Sequence, residues 1–356
     1  MICRAVLLSI ALFMSVASSA TAAPPEGPRL AVVAFHPYPN AGSELSSLAP
    51  DGSGPFRIAG GPDARGPSPV FEARPSWSAD GSRVAFFGVR GGSPGAVFTV
   101  AADGSDPRVV PLSRKLLIQG EPVLAPDGRS VAVMRIDVIS GQFERPLRRG
   151  GGSDDEYGVK VRTAIWSLGV GNSRMRPLTR WSRRSFIEPS SFSPDGSHLA
   201  ATEWDGGPTP RAISVDLATR RTEVLAANAA APVYAPDGSV AMVRDRFGPE
   251  EGPLEARKLR SSALLVLAPE QDRPLPVLRV RGGLRWPSWD PSGQRIAFTR
   301  LKKTPSGVLP IPRPNSIAAV NADGTCLTTV AKLTRGSFAG SAWQPGPDRE
   351  AGRIVC

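Results

Sequence analysis

Pro75-Ser-Trp77-Ser-Ala-Asp80-Gly81-Ser-Arg-Val84-Ala-Phe86 decides the fold, because it returns along the chain. The same frame reads Pro122-Val-Leu124-Ala-Pro-Asp127-Gly128-Arg-Ser-Val131-Ala-Val133 and Phe192-Ser-Pro-Asp195-Gly196-Ser-His-Leu199. It recurs as Tyr234-Ala-Pro-Asp237-Gly238-Ser-Val240 and as Trp289-Asp-Pro-Ser292-Gly293-Gln-Arg-Ile296-Ala-Phe298, which makes five copies. Each copy sets a large apolar residue before an Asp-Gly-type turn and a short β-branched or aromatic run after it, the pattern of a hairpin. Asp can bond the backbone two residues on and Gly can take positive φ, so the pair explains the tight turn without a metal.

The rest of each unit is a further pair of short strands, clearest in Ala96-Val-Phe-Thr-Val100 and Val109-Val110 around the turn Ala102-Asp103-Gly104-Ser105. Four short strands per unit, with no helical periodicity between them, describe a propeller blade. The chain ends supply one more. Ser341-Ala-Trp343 repeats the opening strand, and Leu30 to Phe35, Leu45 to Leu48 and Phe56 to Ile58 repeat the other three. The expected fold is therefore all-β: a six-bladed β-propeller of four-stranded blades, closed by pairing N- and C-terminal strands in one composite blade.

The Pro-x-Trp-Ser-x-Asp-Gly-x-x-Val-Ala-Phe unit, followed by an Ala-Asp-Gly-Ser turn, resembles the propeller repeat of TolB and related exported proteins over about residues 29 to 346. The resemblance implies a propeller that serves as an interaction platform or as an accessory domain of a peptidase. TolB itself carries an additional α/β domain ahead of its propeller, for which there is no room between the expected cleavage point and the first strand.

Residues 1–22 combine a lone Arg4, an apolar run from Ala5 to Ala17 and Ala20-Thr21-Ala22, the layout of a cleavable secretory signal. The propeller domain then occupies 23–356, extracytoplasmic, with no transmembrane span after cleavage and as a monomer. Cleavage removes Cys3 and leaves Cys326 and Cys356, an even pair in a compartment where disulfides persist, so a bridge is expected. The net charge is +11, yet six of the 43 basic residues are Lys; the Arg excess accompanies abundant Ala, Gly and Pro and reads as composition, and no nucleic-acid partner is expected.

Both Asp-Gly turns of a blade lie on one rim, so the links between second and third strands emerge on the other. Here fall the long insertions, about Ile136 to Arg162, Arg244 to Ser261 and Leu301 to Asn315. This rim is the expected binding face, presenting Arg145, Arg148, Arg149, Asp154, Asp155, Glu156, Arg257, Lys258 and Arg260 to a protein or cell-envelope component. Trp77, Trp289 and Trp343 hold one equivalent repeat position, also filled by Leu124, Phe192 and Tyr234, and are expected to pack between blades. With two histidines, His36 and His198, neither a His-based metal site nor a Ser-His-Asp triad is expected, and no cofactor is. Gly91-Gly-Ser93-Pro-Gly95 has the spacing of a nucleophile elbow, but Pro94 lacks the N–H an oxyanion hole needs. The expected function is a non-catalytic binding platform; the alternative is a lyase or hydrolase at the central channel.

Overall fold

The computed structural model describes residues 25–36, 42–60, 68–69, 74–89, 96–110, 117–140, 160–172, 174–207, 209–248, 259–301, 315–333, 337–346 and 354–356. Twenty-five strands form six antiparallel sheets. Blade I is the composite one: β25 (Ser337–Trp343) lies innermost and pairs with β1 (Leu30–His36), followed by β2 (Gly42–Leu48) and β3 (Phe56–Gly60). Blade II holds β4 (Ser68–Pro69) and β5 (Ser76–Trp77), both on β6 (Arg83–Val89), then β7 (Ala96–Ala101) and β8 (Arg108–Val109). Blade III runs β9 (Leu117–Leu124), β10 (Ser130–Ser140), β11 (Lys160–Gly169), β12 (Met175–Pro177), and blade IV β13 (Phe186–Phe192), β14 (His198–Trp204), β15 (Arg211–Asp216), β16 (Thr222–Ala227). Blade V is β17 (Ala230–Tyr234), β18 (Val240–Phe247), β19 (Leu259–Leu267), β20 (Leu275–Arg281), and blade VI β21 (Gly283–Trp289), β22 (Arg295–Leu301), β23 (Ser316–Asn321), β24 (Thr328–Lys332). The six blades and their closure through the chain ends are those read from the repeat.

The core is divided into six slabs, one between each pair of neighbouring blades, and strand alternation explains why. On β1, Ala31 and Val33 pack toward blade II with Trp77, Phe86 and Phe98, whereas Leu30, Val32 and Ala34 pack toward blade VI with Ile317 and Val330. Both faces of a blade are thus buried, and its middle strands are continuously apolar: Val84, Ala85 and Phe86 are each 0% exposed.

Innermost strands are also tied to one another by hydrogen bonds at the repeat's large apolar position, and two solutions alternate. Where the residue before that position is Ser, its hydroxyl accepts the next blade's backbone N–H: Leu124 to Ser76 at 3.0 Å, Tyr234 to Ser191 at 3.2 Å, Trp343 to Ser288 at 3.0 Å. Where it is apolar, an indole donates to its carbonyl instead: Trp77 Nε1 to Ala342 at 3.2 Å and Trp289 Nε1 to Val233 at 3.1 Å. The sixth junction pairs Val123 with Phe192, which bring neither a hydroxyl nor an indole; it is held by packing with Ile165, Ile187 and Leu199. Trp77, Trp289 and Trp343 are at most 9% exposed, as their repeat position implied.

The Asp-Gly turns do more than reverse the chain. Asp80 accepts from Ser82 N and from the hydroxyls of Ser78 and Ser82, and Ser78 above all holds its carboxyl below the ordinary value. In four turns the glycine also lies against the preceding blade: a Cβ on Gly52, Gly81, Gly104 or Gly324 would sit 1.8, 2.0, 2.5 or 1.9 Å from the carbonyl oxygens of Val330, Pro345, Ile58 or Val277. Positive φ and close approach both require Gly there.

The C-terminal segment is strapped to blade VI. Cys326 and Cys356 form a disulfide, Asn321 exchanges hydrogen bonds with Ile354 at 3.0 and 2.7 Å, and Ile354 joins the slab between blades VI and I.

Two tests follow from these junctions. The bridge spans 30 residues, so Cys356→Ser should lower the unfolding free energy by about 3 to 4 kcal/mol in urea titrations, with an unchanged far-ultraviolet spectrum. Phe192→Trp should place an indole donor by the Val123 carbonyl and raise stability by about 1 kcal/mol; a loss would show that this junction does not reproduce the geometry of the others.

Candidate functional site

Every innermost strand carries extra residues at mid-height, and these build the channel. Between the pairs Trp77↔Val84 and Pro69↔Gly88, the β4–β5 side holds four residues more than β6. β9 holds two more than β10 between Val123 and Gln119. β13, β17, β21 and β25 each shift register once against their neighbour, after Pro189, Ala230, Arg285 and Phe338. Bulges bend a strand and turn unpaired backbone aside, and they accumulate at rims and beside sites.

Three positions before the large apolar residue, the six blades contribute Arg74, Glu121, Pro189, Ala231, Trp286 and Gly340. Arg74 crosses the channel from blade II and donates to the carbonyls of Ser190 in blade IV at 3.5 Å and Pro287 in blade VI at 3.1 Å, with Glu121 at 3.9 Å. Burial pulls the guanidinium below its ordinary value, while Glu121 and Glu188 oppose that shift. Gly340 fits because a Cβ there would lie 2.9 Å from Arg74 Cα.

Arg74 separates two vestibules, since it lines both. The one on the Asp-Gly rim, about 210 Å³, is walled by Trp77, Leu124, Phe192, Tyr234, Trp289 and Trp343, the side chains that close the inter-blade slabs. The one on the opposite rim, about 350 Å³, is lined by Trp204, Phe247 and Trp286, by Glu121, Glu188 and Asp245, and by Arg285. Phe247 is 45% exposed. Asp245 receives Arg285 at 2.7 and 3.0 Å and the Ser262 hydroxyl at 2.5 Å. Three residues of this lining, Asn228, Ala231 and Trp286, have φ of 53°, 51° and 53°; for Trp that is a costly conformation, of the kind that gathers at functional sites.

Of the residues expected at the binding face, Arg145, Arg148, Arg149, Asp154, Asp155, Glu156, Arg257 and Lys258 lie outside the described residues. Arg260 is exposed on β19 and does not line the vestibule. The strands extend further than expected into two insertions: β10 reaches Ser140, β11 starts at Lys160, β18 ends at Phe247 and β19 starts at Leu259. The first insertion springs from a cationic and aromatic base, with Arg135 4.5 Å from the Trp166 ring, Arg162 4.4 Å from the Trp181 ring, and Asp137 bonded to both arginines.

Residues 91–95 and their elbow-like spacing lie outside the described residues. His198 does meet a serine and an aspartate, in the wrong order: the Ser197 hydroxyl stands between Asp195 Oδ2 at 2.6 Å and His198 Nδ1 at 2.7 Å. The carboxylate thus sits on the serine and not on the imidazole, whereas a Ser-His-Asp triad needs it behind the imidazole. Among the described residues no group of His, Cys, Asp and Glu is arranged to hold a metal ion.

The vestibule was not found from sequence, although one signal marks it: Pro75, Pro122, Pro232 and Pro287 stand two residues before the large apolar position, where a missing N–H tolerates a bulge. Arg74→Met should cost about 2 to 3 kcal/mol in unfolding titrations by orphaning the Ser190 and Pro287 carbonyls, more than Arg260→Met at the exposed rim.

No protein-family model and no curated protein matches the sequence. Among solved structures, TolB from Acinetobacter baumannii superposes with a TM-score of 0.60 at 18% identity, over 89% of this chain and 67% of that one. A putative TolB from Agrobacterium tumefaciens superposes with a TM-score of 0.56 at 16% identity, over 88% of this chain and 92% of that one. At such identity the likeness speaks for the fold, and the fold is that of a TolB-like six-bladed propeller.

Proposed function

We propose that this chain is an exported, non-catalytic platform that binds a protein or peptide, or another cell-envelope component, at the rim where second and third strands are linked. The observation that carries the reading is the vestibule of about 350 Å³ on that rim, walled by Trp204, Phe247 and Trp286 and closed below by Arg74. Aromatic recesses on a rigid scaffold receive a partner's protruding group at little ordering cost. Export is supported by the signal-like residues 1–22 and by the bridge between Cys326 and Cys356.

One observation favours the second reading, a lyase or hydrolase: Glu121, Glu188 and Asp245 converge at the channel mouth. Asp245, however, accepts from the Arg285 guanidinium through both its oxygens and from the Ser262 hydroxyl, so its oxygens are already engaged by the wall. Glu121 lies 3.9 Å from the Arg74 guanidinium, which is itself tied to the channel wall. The carboxylates account for the shape of the mouth more directly than for a reaction.

Affinity capture from an envelope extract tests the platform, using the mature chain, a Trp204→Ser/Phe247→Ser variant and a variant with residues 141–159 replaced by a short Gly-Ser turn. A partner recovered by the intact chain and lost from either folded variant is expected. Equal recovery by all three would remove this rim as the binding face, and recovery of nothing specific would favour chemistry in the channel.

A further inference from the structure

We propose that the vestibule recognises one cationic side chain, a lysine or an arginine, presented by the bound peptide; the peptide rests on the platform reading, the cation on the vestibule alone. The first argument is charge. Among the described residues its lining holds three carboxylates, Glu121, Glu188 and Asp245, against two guanidiniums, Arg74 and Arg285, a formal excess of one negative charge in a chain whose net charge is +11. The guanidiniums are committed to the wall: Arg74 donates to the Ser190 and Pro287 carbonyls, and Arg285 to Asp245 and the Leu284 carbonyl at 2.7 Å. An arriving carboxylate or phosphate would have to displace those bonds against the excess charge, whereas an ammonium or guanidinium adds to it favourably.

The second argument is the aromatic wall. Trp204, Trp286 and Phe247 line the same recess as the carboxylates, and a cation that meets both an aromatic ring and a carboxylate gains from each. Size points the same way. About 350 Å³ is at the small end for ligand sites, suited to one side chain with its aliphatic stem against the rings. The backbone of Trp286, one of the lining aromatics, is held at φ 53°, a conformation that costs energy for a residue of this size.

The test titrates the mature chain with N-acetyl-lysine amide, N-acetyl-arginine amide, N-acetyl-norleucine amide and N-acetyl-glutamate amide, following tryptophan indole N–H resonances assigned with Trp204→Phe and Trp286→Phe. Saturable shifts at both indoles with the two cationic probes are expected, weakening severalfold as salt rises from about 50 to about 500 mM. Glu188→Gln, which keeps the shape, should weaken the lysine probe about tenfold. Equal binding of the norleucine probe would reduce the vestibule to an apolar recess and overturn the proposal. Preference for the glutamate probe, or no shift with any probe, would overturn it too. Lysine-probe binding without partner capture would sink the platform and leave the cation site standing; capture that the lysine probe fails to compete would do the reverse.

Discussion

The ring holds because neighbouring innermost strands bond to each other at the one repeat position where every blade carries a large apolar residue. Propeller blades share no sheet, so backbone ladders stop at each blade's edge. What crosses at this level is packing, together with one well-placed hydrogen bond in five of six junctions, from a backbone N–H to Ser76, Ser191 or Ser288, or from an indole to Ala342 or Val233. The two solutions are complementary, since a serine before the large residue makes the indole redundant. Trp343, which faces Ser288, accordingly leaves its own Nε1 buried without a partner.

With the strands pinned there, the extra residues above that level have one direction in which to go. They loop toward the axis, and their character decides what the channel becomes. Arg74 ties blades II, IV and VI across the middle, Gly340 makes room for it, and Trp286 lines the wider mouth. Rigidity and site therefore come from the same strands. The lower ends of those strands are uniform and fasten the ring, whereas the upper ends differ from blade to blade and shape the recess.

This division also explains what could be read from sequence. The lower ends repeat, so Trp77, Leu124, Phe192, Tyr234, Trp289 and Trp343 announced the blade count, the closure and their own packing. The upper ends do not repeat. Glu121, Glu188 and Asp245 lie 67 and 57 residues apart and meet because the blades are arranged around an axis, which no local pattern encodes. The charged runs in the long insertions are conspicuous in sequence, whereas the recess is lined by strand ends whose residues stand alone in their local context. The pairing of Cys326 with Cys356 was legible because they are the two cysteines outside the signal-like segment, an even pair in a chain expected to be exported.

The strap formed by that pair changes how the ring bears force. Within its sheet β25 is held by its ladder to β1, and a load on the chain beyond it would otherwise unzip that ladder one bond at a time. With Cys356 anchored to Cys326, tension on the C-terminal end passes into blade VI and bypasses β25. Tension arriving through the segment before Leu30 meets β1, held between β25 and β2 and loaded along its length, so that several bonds must shear together. The ring is thus fastened against being drawn open along either of these segments.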